Sequence, residues 1–398
     1  MDLFQQFYGE GKDFFESKTC EHTAQEIAHQ PNMWRKLSTY LQETRQEISG
    51  FMDKVKAQGG VRIILTGAGS SGFAGGVVAG FIAQETGVKC EAIHTTDIVS
   101  SPEMCFPESM ADTPTLLISF GRSGNSPESD GAVRYARELV KNLYEVAIVC
   151  DGSSRLSSTT RESATGLVLV MPEGTNDKGF AMTSSVSTMI LAGYAVLRWS
   201  EIPQIAKDIT HLANQVEKSG IHMSKSAAEC AAWGMERAWF IGSGPLTALA
   251  HEGSLKMMEL SNGAIVAGHN NAPEFRHGPK TVINPKTLTV HLISSNPLTA
   301  KYDLDLLAEL NSQRDGNKTV AICDAVAQCQ ADLLVNYETT NYVIVPHVAA
   351  GMQGLVFMQL LSLYSSLALG ITTDNPSPKG LVNRVVQGVT VYPFGGRM

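Results

Sequence analysis

The sequence has 398 residues, 43% of them hydrophobic and 18% charged, with a formal net charge of −8. A chain of this length can bury a large core without staples and holds two or three domains' worth of residues. The acidic balance speaks against nucleic acid or an anionic membrane as partner, since both need a basic excess; a small anion, held by helix dipoles and one or two basic residues, stays compatible with it.

In chain order, residues 1–54 read as a helical arm. MDLFQQFYGEGKDFF places an acid at Asp2 with no apolar run behind it, so no secretory signal is expected. The Phe and Tyr residues between positions 4 and 15 make this arm a candidate interface element. Thr23-Ala24-Gln25-Glu26 has the spacing of a capping box, and helical patterning continues through Met52.

Residues 55–200 read as a first α/β domain. A β-branched run from Arg62 leads into Gly67-Ala68-Gly69-Ser70-Ser71-Gly72, a G-x-G-x-x-G pattern that follows a strand and opens a helix. Glu91 and Asp97 lie far enough on to serve a ribose, so a dinucleotide site is one reading. A phosphate cradle, with Ser70 and Ser71 adding hydroxyl donors to helix amides, is a second. A tight turn capped by its serines is a third. The next strand ends in Ser119-Phe120-Gly121-Arg122-Ser123-Gly124-Asn125-Ser126-Pro127-Glu128. Arg122, Ser123 and Ser126 are anion donors there, and Pro127-Glu128 opens a helix. A dinucleotide does not need this second loop, whereas a compact phosphate ester uses both loops where they converge at the carboxyl ends of strands. Further apolar runs end at Asp151 and Pro172, and a long uncharged helix follows from Ala181 to Leu197.

The connector, residues 201–234, reads as a helical pair or hairpin. Residues 235–373 then repeat the first domain. Gly242 answers Gly67, Ser294 answers Ser119, Val320 answers Val146, Asp324 answers Asp151 and Pro346 answers Pro172, at offsets of 175, 175, 174, 173 and 174 residues. A period this long marks two copies of one domain, each expected to be a mostly parallel sheet with helices on both faces. The second copy keeps the turns but loses most of the hydroxyls, in Gly242-Ser243-Gly244-Pro245 and Ser294-Ser295-Asn296-Pro297. One phosphate pocket per chain, in the first copy, is therefore expected.

After its first strand the second copy has His251-Glu252-Gly253-Ser254-Leu255-Lys256-Met257-Met258-Glu259-Leu260. Glu252, Lys256 and Glu259 share one helix face at i, i+4 and i+7, while Leu246, Ala250, Gly253, Met257 and Leu260 form an apolar face that Leu255 and Met258 extend. The charged face is either an ordinary solvated one or a strip lining a cleft with a carboxylate for proton transfer. Pro273-Glu274-Phe275-Arg276-His277-Gly278-Pro279-Lys280 puts His277 on a loop, where it is either a surface residue or a general acid/base. From Val348 to Thr373 no residue is charged, but the glutamines, serines and glycines in it suit a buried core helix better than a membrane span. Residues 374–398 form a tail. The seven cysteines hold no C-x-x-C pair and the ten histidines no metal spacing, so free thiols, a cytoplasmic setting and no metal are expected.

Taken together, TGAGSSG, SFGRSGNSPES, HEGSLKMMEL and EFRHGPK resemble the sugar isomerase (SIS) family, as two tandem SIS domains over almost the whole chain. The arrangement is similar to the isomerase half of glucosamine-6-phosphate synthase. With GFAMTSS and the tail NRVVQGV it resembles the AgaS branch, galactosamine-6-phosphate deaminase/isomerases also described as tagatose-6-phosphate ketose/aldose isomerases. The resemblance implies a fold of two five-stranded, flavodoxin-like three-layer domains and an enzyme that needs no cofactor. It implies Glu259 as the carboxylate that moves a proton between C1 and C2, with Lys256 and Glu252 beside it. The resemblance also implies that His277 opens the sugar ring and is supplied across a homo-oligomer interface to the neighbouring subunit. It implies that Ser70, Ser71, Arg122, Ser123 and Ser126 take the phosphate of a small sugar phosphate, with Gly69, Thr183 and Ser184 on the substrate side. The synthase has a lysine in its tail where Gln387 stands in this sequence. A non-catalytic sugar-phosphate sensor and a simple aldose–ketose isomerase are the rival readings; the sensor would carry a basic helix-turn-helix region, and none is present.

Overall fold

A computed structural model describes residues 2–324, 328–386 and 388–395. Gln387 lies outside the described residues. The described strands are β1 (Arg62–Thr66), β2 (Glu91–Ala92), β3 (Thr115–Gly121), β4 (Leu143–Val149) and β5 (Gly166–Val170), then β6 (Arg237–Gly242), β7 (Val266–Asn270), β8 (Thr287–Leu292), β9 (Lys318–Asp324) and β10 (Leu333–Tyr337). They form two five-stranded sheets, ordered β2-β1-β3-β4-β5 and β7-β6-β8-β9-β10, with every pair parallel. Both have the 2-1-3-4-5 order of doubly wound folds, so the repeat in sequence is a repeat in topology, and each sheet reverses its strand order between its first and third strands. β3 and β8 are buried along their whole length, as a parallel strand covered on both faces must be.

The chain divides into two compact units. The first-sheet unit holds Lys36–Asn176, Ser185–Ala206 and the residues from Val382 on. The second-sheet unit holds the residues up to Arg35, Asp177–Ser184 and Lys207–Leu381. In the second-sheet unit the uncharged stretch forms the helix Pro346–Ala368, long and apolar enough to cross a membrane and almost wholly buried. It packs on the helix Leu246–Leu260, where a Cβ on Gly253 would stand 2.5 Å from the Met358 sulfur. A side chain at that position would have to displace the Met358 thioether from between the two helices.

Three expectations change. The connector is one continuous helix, Ile202–Ala231, because Ile205, Ile209, Leu212, Val216, Met223, Ala227 and Cys230 form an unbroken buried stripe at helical spacing. Thr23 is not an N-cap. Its helix begins at Glu21, its backbone N–H and hydroxyl both donate to Asp374 at 2.8 Å, and Glu26 accepts instead from the backbone N–H groups of Lys178 and Gly179. Most aromatic residues of the arm are packed within the chain: Phe4, Phe7, Tyr8 and Phe15 are buried in their own unit and the Tyr8 hydroxyl donates to the Ala24 carbonyl at 2.7 Å, while Phe14 stays exposed.

Candidate active site

In the first-sheet unit β1 and β3 are neighbours, with Thr66 in register with Ser119, so the turns that leave them emerge side by side at the carboxyl edge. After β1 the chain turns through Gly67-Ala68-Gly69 into the helix Ser70–Thr86. A Cβ on Gly67 would stand 2.5 Å from the Ser71 carbonyl carbon, one on Gly72 would strike the His94 ring, and Gly69 has a φ of +55°. Glycine is thus required there by contact and by conformation. Ser70 and Ser71, both buried, place their hydroxyls in the first turn of a 17-residue helix, where amides and dipole favour an anion. Glu91, the acid a dinucleotide would need for its ribose, is instead held by Arg62 through two hydrogen bonds of 2.7 and 2.8 Å. That pairing keeps the Glu91 carboxyl below its ordinary range.

The second turn follows β3. Gly124 has a φ of +60°, and a Cβ there would stand 2.5 Å from the Ser154 hydroxyl. Ser126 caps the helix Pro127–Leu139, its hydroxyl accepting from the Ser129 N–H at 3.3 Å and sharing a 2.7 Å contact with the Ser129 hydroxyl. Ser123 is half-buried, and its hydroxyl accepts from the Asn125 N–H at 3.3 Å. The buried Arg122 guanidinium donates to the Arg384 carbonyl at 2.6 Å, tying this loop to the tail.

In the second-sheet unit the charged stripe is not a solvated face. Lys256 and Glu252 have side chains 0% and 1% exposed, 3.4 Å apart, and Lys256 also contacts Glu259, whose side chain is 25% exposed. A buried ammonium thus sits between two carboxylates, and of the three groups only Glu259 faces outward. Met258 is exposed and Leu255 half-buried, so the apolar face ends at Met257 and Leu260 instead of extending through them.

His277 is exposed and follows the short helix Ala272–Phe275. Its loop is clamped from both sides by Glu309, which accepts from Arg276 at 2.6 Å and also pairs with Lys280. The two cations hold the Glu309 carboxyl below its ordinary range. Thr183 and Ser184 are fully buried, and Asp177 accepts from the N–H and hydroxyl of each, at 2.9 and 3.2 Å for Thr183 and 3.1 and 2.6 Å for Ser184. Asp177 itself stands beside Glu26, whose carboxyl burial and the Asp177 charge push up to about 8. The structure therefore gathers the serine loops in one unit and the charged stripe, His277 and the Thr183-Ser184 turn in the other.

Three acids that sequence reasoning passed over hold these parts in place: Asp177, Glu309 and Asp303. The buried Asp303 carboxylate accepts from the Ser243 hydroxyl at 2.5 Å and the Ser294 N–H at 3.0 Å, linking the turns after β6 and β8. Glu309 lies 33 residues from Arg276 and Asp303 lies 60 from Ser243, so no local pattern marks them, while Asp177 sits six residues before Thr183 in a loop.

The SIS domain family matches residues 57–198 of this chain. The D-galactosamine-6-phosphate deaminase AgaS of Escherichia coli is 37% identical over 379 residues, 94% of this chain and 96% of its own. The chain belongs to the AgaS branch of the SIS family. A second AgaS deaminase, from Shewanella sp. (strain ANA-3), is 37% identical over 375 residues, covering 94% of this chain and 92% of its own. The crystal structure of tagatose-6-phosphate ketose/aldose isomerase from Escherichia coli superimposes with a TM-score of 0.85 at 33% identity, over 94% of this chain and 97% of that one. The matched SIS stretch spans β1–β5; β6–β10 lie beyond it and still repeat its topology.

Proposed function

We propose that this SIS enzyme deaminates and isomerises galactosamine-6-phosphate, consuming water and releasing tagatose-6-phosphate and ammonia. The observation that carries the reading is the Glu252–Lys256–Glu259 stripe, buried except at the Glu259 carboxylate, in a chain similar over most of its length to AgaS deaminases. The serine loops of the first-sheet unit anchor the phosphate, and His277 shuttles a proton between the ring oxygen and the anomeric hydroxyl. Glu259 takes the C2 proton and returns it to C1, and the C2 imine so formed is hydrolysed. A positioned base is worth about 10²- to 10⁴-fold in rate. The phosphate, remote from the reacting carbons, contributes by orienting them.

This reading places the protein in cytoplasmic amino-sugar catabolism as a homo-oligomer, with His277 serving the neighbouring subunit. An exposed His277 on a clamped loop supports that last element. Activity regained on co-refolding a Glu259 variant with a His277 variant is the expected result. Plain aldose–ketose isomerisation is the second reading, favoured by the similarity to the tagatose-6-phosphate isomerase structure. Incubation with galactosamine-6-phosphate separates the two: ammonia and tagatose-6-phosphate in equal amounts support deamination. No ammonia, with clean conversion of the unaminated sugar, overturns it.

A further inference from the structure

Cys323, near the end of β9, lies with its sulfur 3.4 Å from that of Cys329, six residues on. Cys323 is buried in a small apolar cluster with Ile293, Leu307 and Ala321, and Cys329 packs half-buried at its edge. Closing the pair to a disulfide needs about 1.4 Å of movement to reach a bond of about 2.05 Å. We propose that Cys323 and Cys329 are a dithiol modification site, with Cys329 as the entry point, which a low-molecular-weight disulfide converts into an intramolecular disulfide. The Cys329 thiolate attacks one sulfur of the reagent, forming a mixed disulfide and expelling one thiolate. Cys323 gives its proton to solvent and attacks the Cys329 sulfur, expelling the second. Two protein thiols are oxidised and one reagent disulfide is reduced to two thiols.

The division of labour follows from the surroundings. The Cys323 thiol hydrogen-bonds toward Cys329 and pulls it down to about 7, within the range of reactive thiols, while Cys323 itself is pushed up. Burial moves Cys20 and Cys230 both to about 12 and Cys90 to about 11, away from reaction. The test uses the full reduced chain, oxidised glutathione near neutral pH, and peptide mapping under non-reducing conditions. The expected product is a Cys323–Cys329 linkage, formed about tenfold faster than modification of any other cysteine. Cys323→Ser is expected to stop at a glutathione adduct on Cys329, and Cys329→Ser to leave Cys323 free, with circular dichroism showing both variants folded. Recovery of both thiols free in the unsubstituted chain, or a stable adduct on Cys329 with no ring closure, overturns the proposal.

Discussion

The two sheets share strand order and turns, yet their carboxyl edges carry different equipment. In the first, the turns after β1 and β3 bear Ser70, Ser71, Ser123 and Ser126. In the second, the corresponding turns after β6 and β8 are tied by the buried Asp303 carboxylate, through the Ser243 hydroxyl and the Ser294 N–H. The chain thus supplies its own anion to the second pair of turns. Burial pushes the Asp303 carboxyl up, and the two hydrogen bonds oppose that shift. The helix after β6 has taken on another task, holding Glu252, Lys256 and Glu259 in line. On the proposed reading, a duplicated fold keeps its scaffold while one copy grips an anion and the other moves a proton.

The sharpest way to break this division is Glu259→Gln. It is expected to lower kcat by about 10²- to 10⁴-fold and to abolish deuterium exchange at C2, while phosphate-ester binding is kept. Full exchange in the variant would exclude Glu259 as the base. Next in size is Lys256→Met, which leaves Glu252 buried without its cation. A loss of about 3–5 kcal/mol in urea unfolding is expected, and a loss under about 1 kcal/mol would mean the buried stripe is not held by its ammonium.

A paired substitution tests the two edges directly. Ser71→Ala is expected to raise KM for the sugar phosphate about tenfold, the worth of a charge-assisted hydrogen bond. Ser243→Ala is expected to leave KM unchanged and cost about 1–3 kcal/mol of stability as Asp303 loses a partner. Equal effects of both on KM would erase the distinction between the copies. The smallest effect concerns Glu26, whose folded-state pKa of about 8 lies above the ordinary 4.5. The raised value favours the protonated, folded form, so this contribution is fully present below about pH 4.5 and is lost as pH rises through about 8. The thermal midpoint is expected to fall by several degrees on that climb, and Glu26→Gln should flatten the fall.

Much of this was legible from residues alone. The fold followed from the offsets between Gly67 and Gly242 or Ser119 and Ser294, because βα turns need glycine and strand ends keep their spacing. The stripe followed from the i, i+4, i+7 spacing of Glu252, Lys256 and Glu259. Its burial did not, since helical periodicity cannot say whether a charged face meets water or packed protein. Asp303 and Glu309 were silent because Ser243 and Arg276, which they bind, lie 60 and 33 residues away. Thr23 misled for the same reason: its hydroxyl reaches Asp374, 351 residues away, in place of the local N–H that a capping box supplies. The Cys323–Cys329 pair fell outside the short spacings that mark redox motifs, and the 3.4 Å approach of the two sulfurs is visible only in the folded chain.

The Asp303 tie also has a thermodynamic side. A ligand that binds only the folded state stabilises it in proportion to the logarithm of its concentration. A tethered carboxylate is a ligand whose effective concentration never varies, so the second pair of turns draws the same support in a starved cell as in a fed one. Whatever cohesion a bound anion lends the serine loops instead rises and falls with supply. Heating the protein with graded inorganic phosphate should therefore delay loss of hydrogen-exchange protection around Ser70 and Ser123 and leave the turns at Ser243 and Ser294 where they were.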